Sequence, residues 1–186
     1  MKDISSHVMD ILQNSIRAKA RRIEVDIIED TVNDIYRLVF VDNGSGMEEA
    51  IMLKVIDPFF TTRRVRKVGL GLPLLKQNAE KAGGSILLDS KVGEGTTVQA
   101  TFSHKHIDRP VLGDIAGAIV LTASSNLNLH FIYRHKKDGK EFVFDTDSIN
   151  EVLDGVSMQN PEVITSLREL INENLKNIGV EGMQLK

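Results

Sequence analysis

The sequence predicts an α/β (α+β) fold. Three observations carry this prediction: an amphipathic helix opens the chain, two hairpins of alternating apolar and polar residues follow, and a helix closed by paired glycines separates them. Beyond these, an apolar segment, a third hairpin and two further helices make a small α+β extension.

Within residues 4–20, Ile4, Val8, Ile11, Leu12 and Ile16 recur at helical spacing, and Ser5 or Ser6 reads as the N-cap. Ile23, Val25 and Ile27 then alternate with charged residues. A polar turn at 30–34 leads into IYRLVFV (35–41), a second strand rich in β-branched and aromatic side chains. A short helix is expected after Gly46, a basic loop over 61–71, and a helix over 72–82 that Gly83 and Gly84 end. Residues 85–90 and 96–102 form the second hairpin around KVGEG, whose glycines suit the positive φ of a tight turn.

The stretch HKHIDRP (104–110), with mixed charge and a proline, reads as a connector. The chain is therefore divided into residues 1–105 and an extension, 106–186. In the extension an alanine-rich apolar segment (111–123) precedes a hairpin (128–144) that turns at Asp138-Gly139, and the last helix starts near Asn160-Pro161.

Composition excludes several classes. With 23 basic and 26 acidic residues the net charge is −3, which gives no global attraction to nucleic acid or an anionic membrane. The absence of cysteine removes disulfides, thiolate metal sites and cysteine nucleophiles. No basic segment leads into an apolar run, and no apolar stretch is long enough to span a bilayer, so a cytoplasmic protein is expected.

Asp10, Asn14 and Arg17 stand at i, i+4 and i+7 of the first helix and share the face opposite the apolar stripe. Alone, they would be a solvated helix face. DNGSGM (42–47) adds a carboxylate at a strand tip, with glycines that let backbone approach a ligand. DPFFTTRR (57–64), VGLGL (68–72) and GEGTT (93–97) follow in order.

This ordered set resembles the GHKL superfamily, the Bergerat-type ATP-binding domains of histidine kinases, gyrase and MutL. Its N, G1, F, G2 and G3 boxes are similar to HVMDILQNSIRA, DNGSGM, DPFFTT, GLGL and GEGTT. The resemblance covers about residues 4–103. It implies a two-layer sandwich, helices on one face of a mixed sheet, with ATP between the layers.

By that resemblance Asn14 coordinates Mg²⁺, a hard ion suited to an amide oxygen. Asp42 accepts the adenine amino group, Gly44 and Gly46 make room, and Gly69, Leu70, Gly71 and Leu72 offer backbone N–H groups to phosphate at a helix start. Thr61, Thr62 and Arg63 join the nucleotide-binding set in a lid that also holds Arg64, Arg66 and Lys67. Thr97 reaches adenine through water, with Thr96 on the other face of the strand. Arg17 occupies the place of a basic residue in many histidine kinases and contacts phosphate.

Asp10 stands where ATP-hydrolysing members carry glutamate and is the candidate general base. His7 is read as structural, and His104, His106, His130 and His135 show no metal-ligand spacing.

Few residues precede the first helix, so the resemblance points to a histidine kinase-like ATP-binding domain without its dimerisation and phosphoacceptor domain. The function expected is that of a standalone histidine kinase-like or anti-sigma-type kinase acting on a separate protein partner, which residues 106–186 recruit. The alternatives are an ATP-gated binding switch with little turnover, and a slow ATPase whose γ-phosphate meets Lys136, Lys137 or Lys140. Nucleic acid is the least favoured partner.

Overall fold

A computed structural model describes residues 3–56 and 71–182. The chain runs α1 (Ile4–Arg17), β1 (Arg22–Asp30), β2 (Ile35–Asp42), α2 (Glu49–Val55), α3 (Gly71–Lys81), β3 (Ser85–Lys91) and β4 (Gly95–Ser103). It continues through α4 (Ile115–Ser125), β5 (His130–Lys137), β6 (Lys140–Asp145), α5 (Thr146–Leu153) and α6 (Pro161–Asn177).

All six strands form one sheet in the order β3-β4-β2-β1-β5-β6. Every pairing is antiparallel except β1 with β5, which is parallel, so the sheet is mixed. Alternation decides which residues meet the helices: Ile23, Val25 and Ile27 of β1, Tyr36, Leu38 and Phe40 of β2, and Val98, Ala100 and Phe102 of β4 are buried on one face. Ile4, Val8, Ile11 and Leu12 of α1, with Leu75 and Ala79 of α3, cover them. α1 packs between α3 and α4, and α4 packs on α6, which gives the α/β sandwich. Among the described residues no helix is long and apolar enough to cross a membrane.

The extension continues this sheet and core. Phe131 and Tyr133 of β5, Ile115 and Ile119 of α4, and Leu167, Ile171 and Leu175 of α6 belong to the same buried cluster as α1 and β1. Returning from the connector, the chain passes under the N-terminus, where the Ile4 and Ser5 amides donate to the Val111 and Leu112 carbonyls at 2.8 and 2.9 Å. These bonds keep 111–112 out of a helix, and α4 starts only after Asp114, whose side chain caps it by accepting from the Gly117 amide.

Asp3, rather than Ser5 or Ser6, caps α1. Its carboxylate accepts from the Ser6 amide at 2.7 Å and from the hydroxyls of Ser5 and Ser6. The serines therefore donate to the cap instead of acting as it.

A buried polar chain ties the extension to β1 at the end of the sheet where β1 finishes. The Tyr133 hydroxyl donates to His135 Nδ1 at 2.6 Å, and His135 Nε2 donates to Glu29 at 2.8 Å. His104 Nε2 reaches the other Glu29 oxygen at 3.0 Å. Burial opposes charge on Glu29, yet the bonds from His135 and His104 hold its carboxyl at about 2. His135 is pushed below its ordinary value by burial, consistent with a neutral ring that accepts at Nδ1.

Candidate functional site

At the opposite end of the sheet, β2 carries Asp42 to its tip directly across from Thr96 of β4. Even-numbered residues of β2 and β4 face the helices, and here the side chains meet α1 across a cavity of about 400 Å³. That volume falls within the roughly 300–1,000 Å³ of small-molecule sites. Ile11, Met47, Leu72 and Val98 make apolar walls; Asn14, Arg17, Asp42, Gly46 and Thr96 also line it.

The Asp42 carboxylate is held from two sides. The Ser15 hydroxyl donates to one oxygen at 2.6 Å, and the Gly44 amide donates to the other at 2.8 Å. A carboxylate has about four lone-pair sites, so two remain for a ligand donor. Ser15 stands one residue past Asn14 on the buried side of α1, inside the HVMDILQNSIRA box but with no role implied by it; a small polar residue on an apolar helix stripe was the signal available.

The glycines fit for reasons of space within the protein. Gly46 has φ +64, and a Cβ there would stand 1.9 Å from the Lys91 carbonyl oxygen. A Cβ on Gly44 would stand 2.8 Å from the Ala18 side chain. The 42–47 loop is thereby pressed onto α1 on one side and the β3-β4 hairpin on the other. Ser90 completes the clamp: its hydroxyl accepts from the Met47 amide and is bonded to Thr96 Oγ1, both at 2.9 Å.

Asp10 is exposed on α1 and lies against the start of α3, where a Cβ on Gly71 would approach the Asp10 Cβ to 2.9 Å. Asn14 is half-buried and Arg17 exposed at the rim of the cavity. The structure thus brings Asp10, Asn14, Arg17, Asp42, Gly44, Gly46, Gly71 and Leu72 around one end of the helix-sheet interface. Thr61, Thr62, Arg63, Gly69 and Leu70, like Arg64, Arg66 and Lys67, lie outside the described residues.

Thr97 does not reach the cavity. It pairs with Val41, which is 41% exposed, on the face of the sheet turned away from the helices. Thr96 takes the inward position, so the expected order of the two threonines is reversed, because the parity of β4 is fixed by Val98, Ala100 and Phe102 in the core.

The hairpin lysines are also misplaced for γ-phosphate contact. Lys136 and Lys137 pair with Ile28 and Glu29 on β1, whereas Asp42 pairs with Ile23. At about 3.3 Å per residue they stand roughly 20 Å along the sheet from the cavity. Lys137 instead donates to the Gly179 carbonyl at 2.6 Å, and Lys136 pairs with Glu141.

His7 is fully buried and bonded through Nε2 to Asn78 of α3 at 2.8 Å; burial drives its pKa down to about 4. His130 gathers with Asp145 and Asp147, a grouping that sequence distance concealed. Arg22 lies 3.2 Å from its Nδ1 and Asp145 3.2 Å from its Nε2, so the ring bridges a cation and a carboxylate.

The mixed sheet thus carries at one end a clamped carboxylate, with the helix that bears Asn14 lying over it. Residues 2–106, more than half of the chain, match the family described as histidine kinase-, DNA gyrase B-, and HSP90-like ATPase, and the chain belongs to that family.

Among curated proteins it is 33% identical over 91 residues to a probable C4-dicarboxylate sensor kinase of Bacillus subtilis, covering 49% of this chain and 17% of that one. It is 31% identical over 113 residues to the sensor histidine kinase WalK of Bacillus subtilis, covering 56% and 18%. The matches span less than a fifth of those relatives' lengths. Among solved structures, the Aquifex aeolicus MutL ATPase domain complexed with ADP aligns with a TM-score of 0.49 at 16% identity, over 83% of this chain and 70% of that one. The segment is homologous to histidine kinase ATP-binding domains.

Proposed function

We propose that the chain binds Mg·ATP in the cavity over Asp42 and donates the γ-phosphoryl group to a separate protein, as a histidine kinase-like or anti-sigma-type kinase. The observation that carries this is the Asp42 carboxylate, fixed by Ser15 and Gly44 with lone pairs left over, at the floor of an apolar-walled cavity. A fixed carboxylate beside apolar walls suits the adenine amino group and ring. Asn14, at the rim, offers the amide oxygen that would hold Mg²⁺, an ion that screens phosphate charge.

In this reading Arg17 contacts phosphate and the backbone at Gly71 and Leu72 offers N–H groups to it. Asp10 orients the nucleophile, and transfer rests on positioning and charge neutralisation. Since ATP is a cytoplasmic nucleotide, the cytoplasm is the proposed location. Residues 106–182, flanking α1 on the side away from α3, are the proposed partner-recruiting part.

The test is a calorimetric titration of wild type, Asn14→Ala and Asp42→Asn with Mg·ATP, with the γ-phosphate followed in the same samples. Binding by wild type and its loss in both variants is expected; equal binding by all three overturns the site. Binding with the γ-phosphate retained, even with candidate acceptors present, would replace the kinase by a nucleotide-gated switch.

A further inference from the structure

Phe131 and Tyr133 turn their side chains into the core, so the alternate residues of β5 face away from the helices. On that outer face, where β5 begins and β6 ends, three metal-ligating side chains converge. His130 Nε2 lies 3.2 Å from Asp145 Oδ1 and 3.6 Å from Asp147 Oδ2. They come from the first residue of β5, the last of β6 and the first turn of α5, and all three are partly open to solvent.

The surrounding chain fixes this arrangement. Thr146, buried between the two aspartates, accepts from the Phe131 amide at 2.9 Å and donates to the Leu129 carbonyl at 3.1 Å, so it grips the residues on either side of His130. Asp145 Oδ1 caps α5 by accepting from the Asp147 amide at 2.9 Å. The imidazole and both carboxylates are thus positioned in advance, which lowers the ordering cost of binding a ligand.

Charge points to a cation. Arg134 is paired with Glu24 and Asp26, and Arg22 with Glu24, so two guanidiniums offset those two carboxylates. Among the described residues only the His130 ring pairs with Asp145 and Asp147. The undescribed segments adjoin Asp3, Ile56, Gly71 and Gly182, none of which belongs to β5, β6 or α5. Two negative charges are left at this corner, and a divalent cation offsets them. Donors bonded at about 2.0–2.1 Å to a tetrahedral centre stand roughly 3.4 Å apart, close to the separations of the three side chains. One imidazole with two carboxylates suits a borderline transition ion, whereas Mg²⁺ and Ca²⁺ favour shells of oxygen alone.

We propose that His130, Asp145 and Asp147 bind a divalent transition-metal ion of the zinc class, with water in the remaining position. The ion ties β5, β6 and α5 together and is separate from the Mg²⁺ of the nucleotide cavity. Arginine only donates, so Nδ1 accepts from Arg22 at 3.2 Å and Nε2 carries the ring proton toward Asp145. On binding, the Nε2 proton passes to solvent, Nδ1 takes one up, the Nε2 lone pair goes to the ion, and Arg22 withdraws to Glu24. Arg22 and the N-terminus of α5 both oppose the cation, so an affinity on the order of micromolar is expected.

The test titrates the full, nucleotide-free chain with Zn²⁺ by calorimetry and with Co²⁺ by visible absorption, beside His130→Ala, Asp147→Asn and Arg22→Ala. Wild type is expected to bind Zn²⁺ at least tenfold more tightly than His130→Ala and Asp147→Asn, to show the intense bands of tetrahedral Co²⁺, and to melt higher with Zn²⁺ present. Arg22→Ala, freed of the competing donor, binds more tightly than wild type. Asp147 joins the cap only through its backbone, so Asp147→Asn decides the matter should His130→Ala fail to fold. Equal Zn²⁺ affinity in wild type and Asp147→Asn, octahedral Co²⁺ bands, or Mg²⁺ bound as tightly as Zn²⁺ and lost in Asp147→Asn would each overturn the inference.

Discussion

Ser15 shows how much of a binding site can rest on a residue to which its motif assigns no role. Its hydroxyl fixes one oxygen of Asp42 at 2.6 Å, and a hydrogen bond to a charged group contributes about 1.5–3 kcal/mol. Ser15→Ala is therefore expected to weaken Mg·ATP binding about tenfold by calorimetry and, because the lost bond is buried, to lower the melting temperature by several degrees. The two threonines supply a sharper comparison. Thr96→Val should weaken nucleotide binding, since Thr96 lines the cavity and bonds Ser90, while Thr97→Val on the outer face should leave affinity at the wild-type value.

His7 and Glu29 give the residue scale its pH dependence. The folded pKa of His7, about 4, lies below the unfolded 6.5, so the unfolded chain binds its proton first. Its contribution is intact above pH 6.5 and is lost as pH falls toward 4, on the order of 2 kcal/mol by pH 4.5. Glu29, held at about 2 against 4.5, adds a second loss between those values. Urea midpoints at pH 7, 4.5 and 3 should show this decline, and His7→Gln should flatten the part between pH 7 and 4.5.

At the scale of elements, the 42–47 loop is a joint between α1 and the β3-β4 hairpin. Gly93 accompanies Ser45 there, its amide donating to the Ser45 carbonyl at 2.8 Å. Gly46→Ala meets both a φ of +64 and a backbone oxygen 1.9 Å from the new Cβ, so a loss of at least 1–3 kcal/mol and of ATP binding is expected. Gly93→Ala has φ +80 and nothing within 4 Å, and should cost only about 1 kcal/mol. Thermal melts of the pair separate backbone strain from steric collision.

The whole molecule is organised by the parallel pairing of β1 with β5. That pairing places the central strand of the motif-bearing region beside a strand a hundred residues later, and α4 beside α1. A fragment ending at residue 105 would expose the β1 edge, uncover the α4 flank of α1, and leave Glu29 without His135. We expect it to lack a cooperative unfolding transition by circular dichroism, in contrast to the full chain.

Local pattern was enough for much of this molecule. Periodicity in 4–20, the alternation of 23–27 and 35–41, the glycines after 82 and the Asp138-Gly139 turn each specify an element through short-range sterics and amphipathicity, and the spacing of Asp10, Asn14 and Asp42 within them pointed to the cavity. Other features depend on residues far apart in sequence. Strand parity turned Thr96 inward, the β1-β5 register carried Lys136 and Lys137 to the far end of the sheet, and docking of 111–112 under the N-terminus set where α4 begins. Ser15 meets Asp42 only because α1 lies across the tip of β2. Such contacts arise from packing one amphipathic face against another, which no local window of sequence contains.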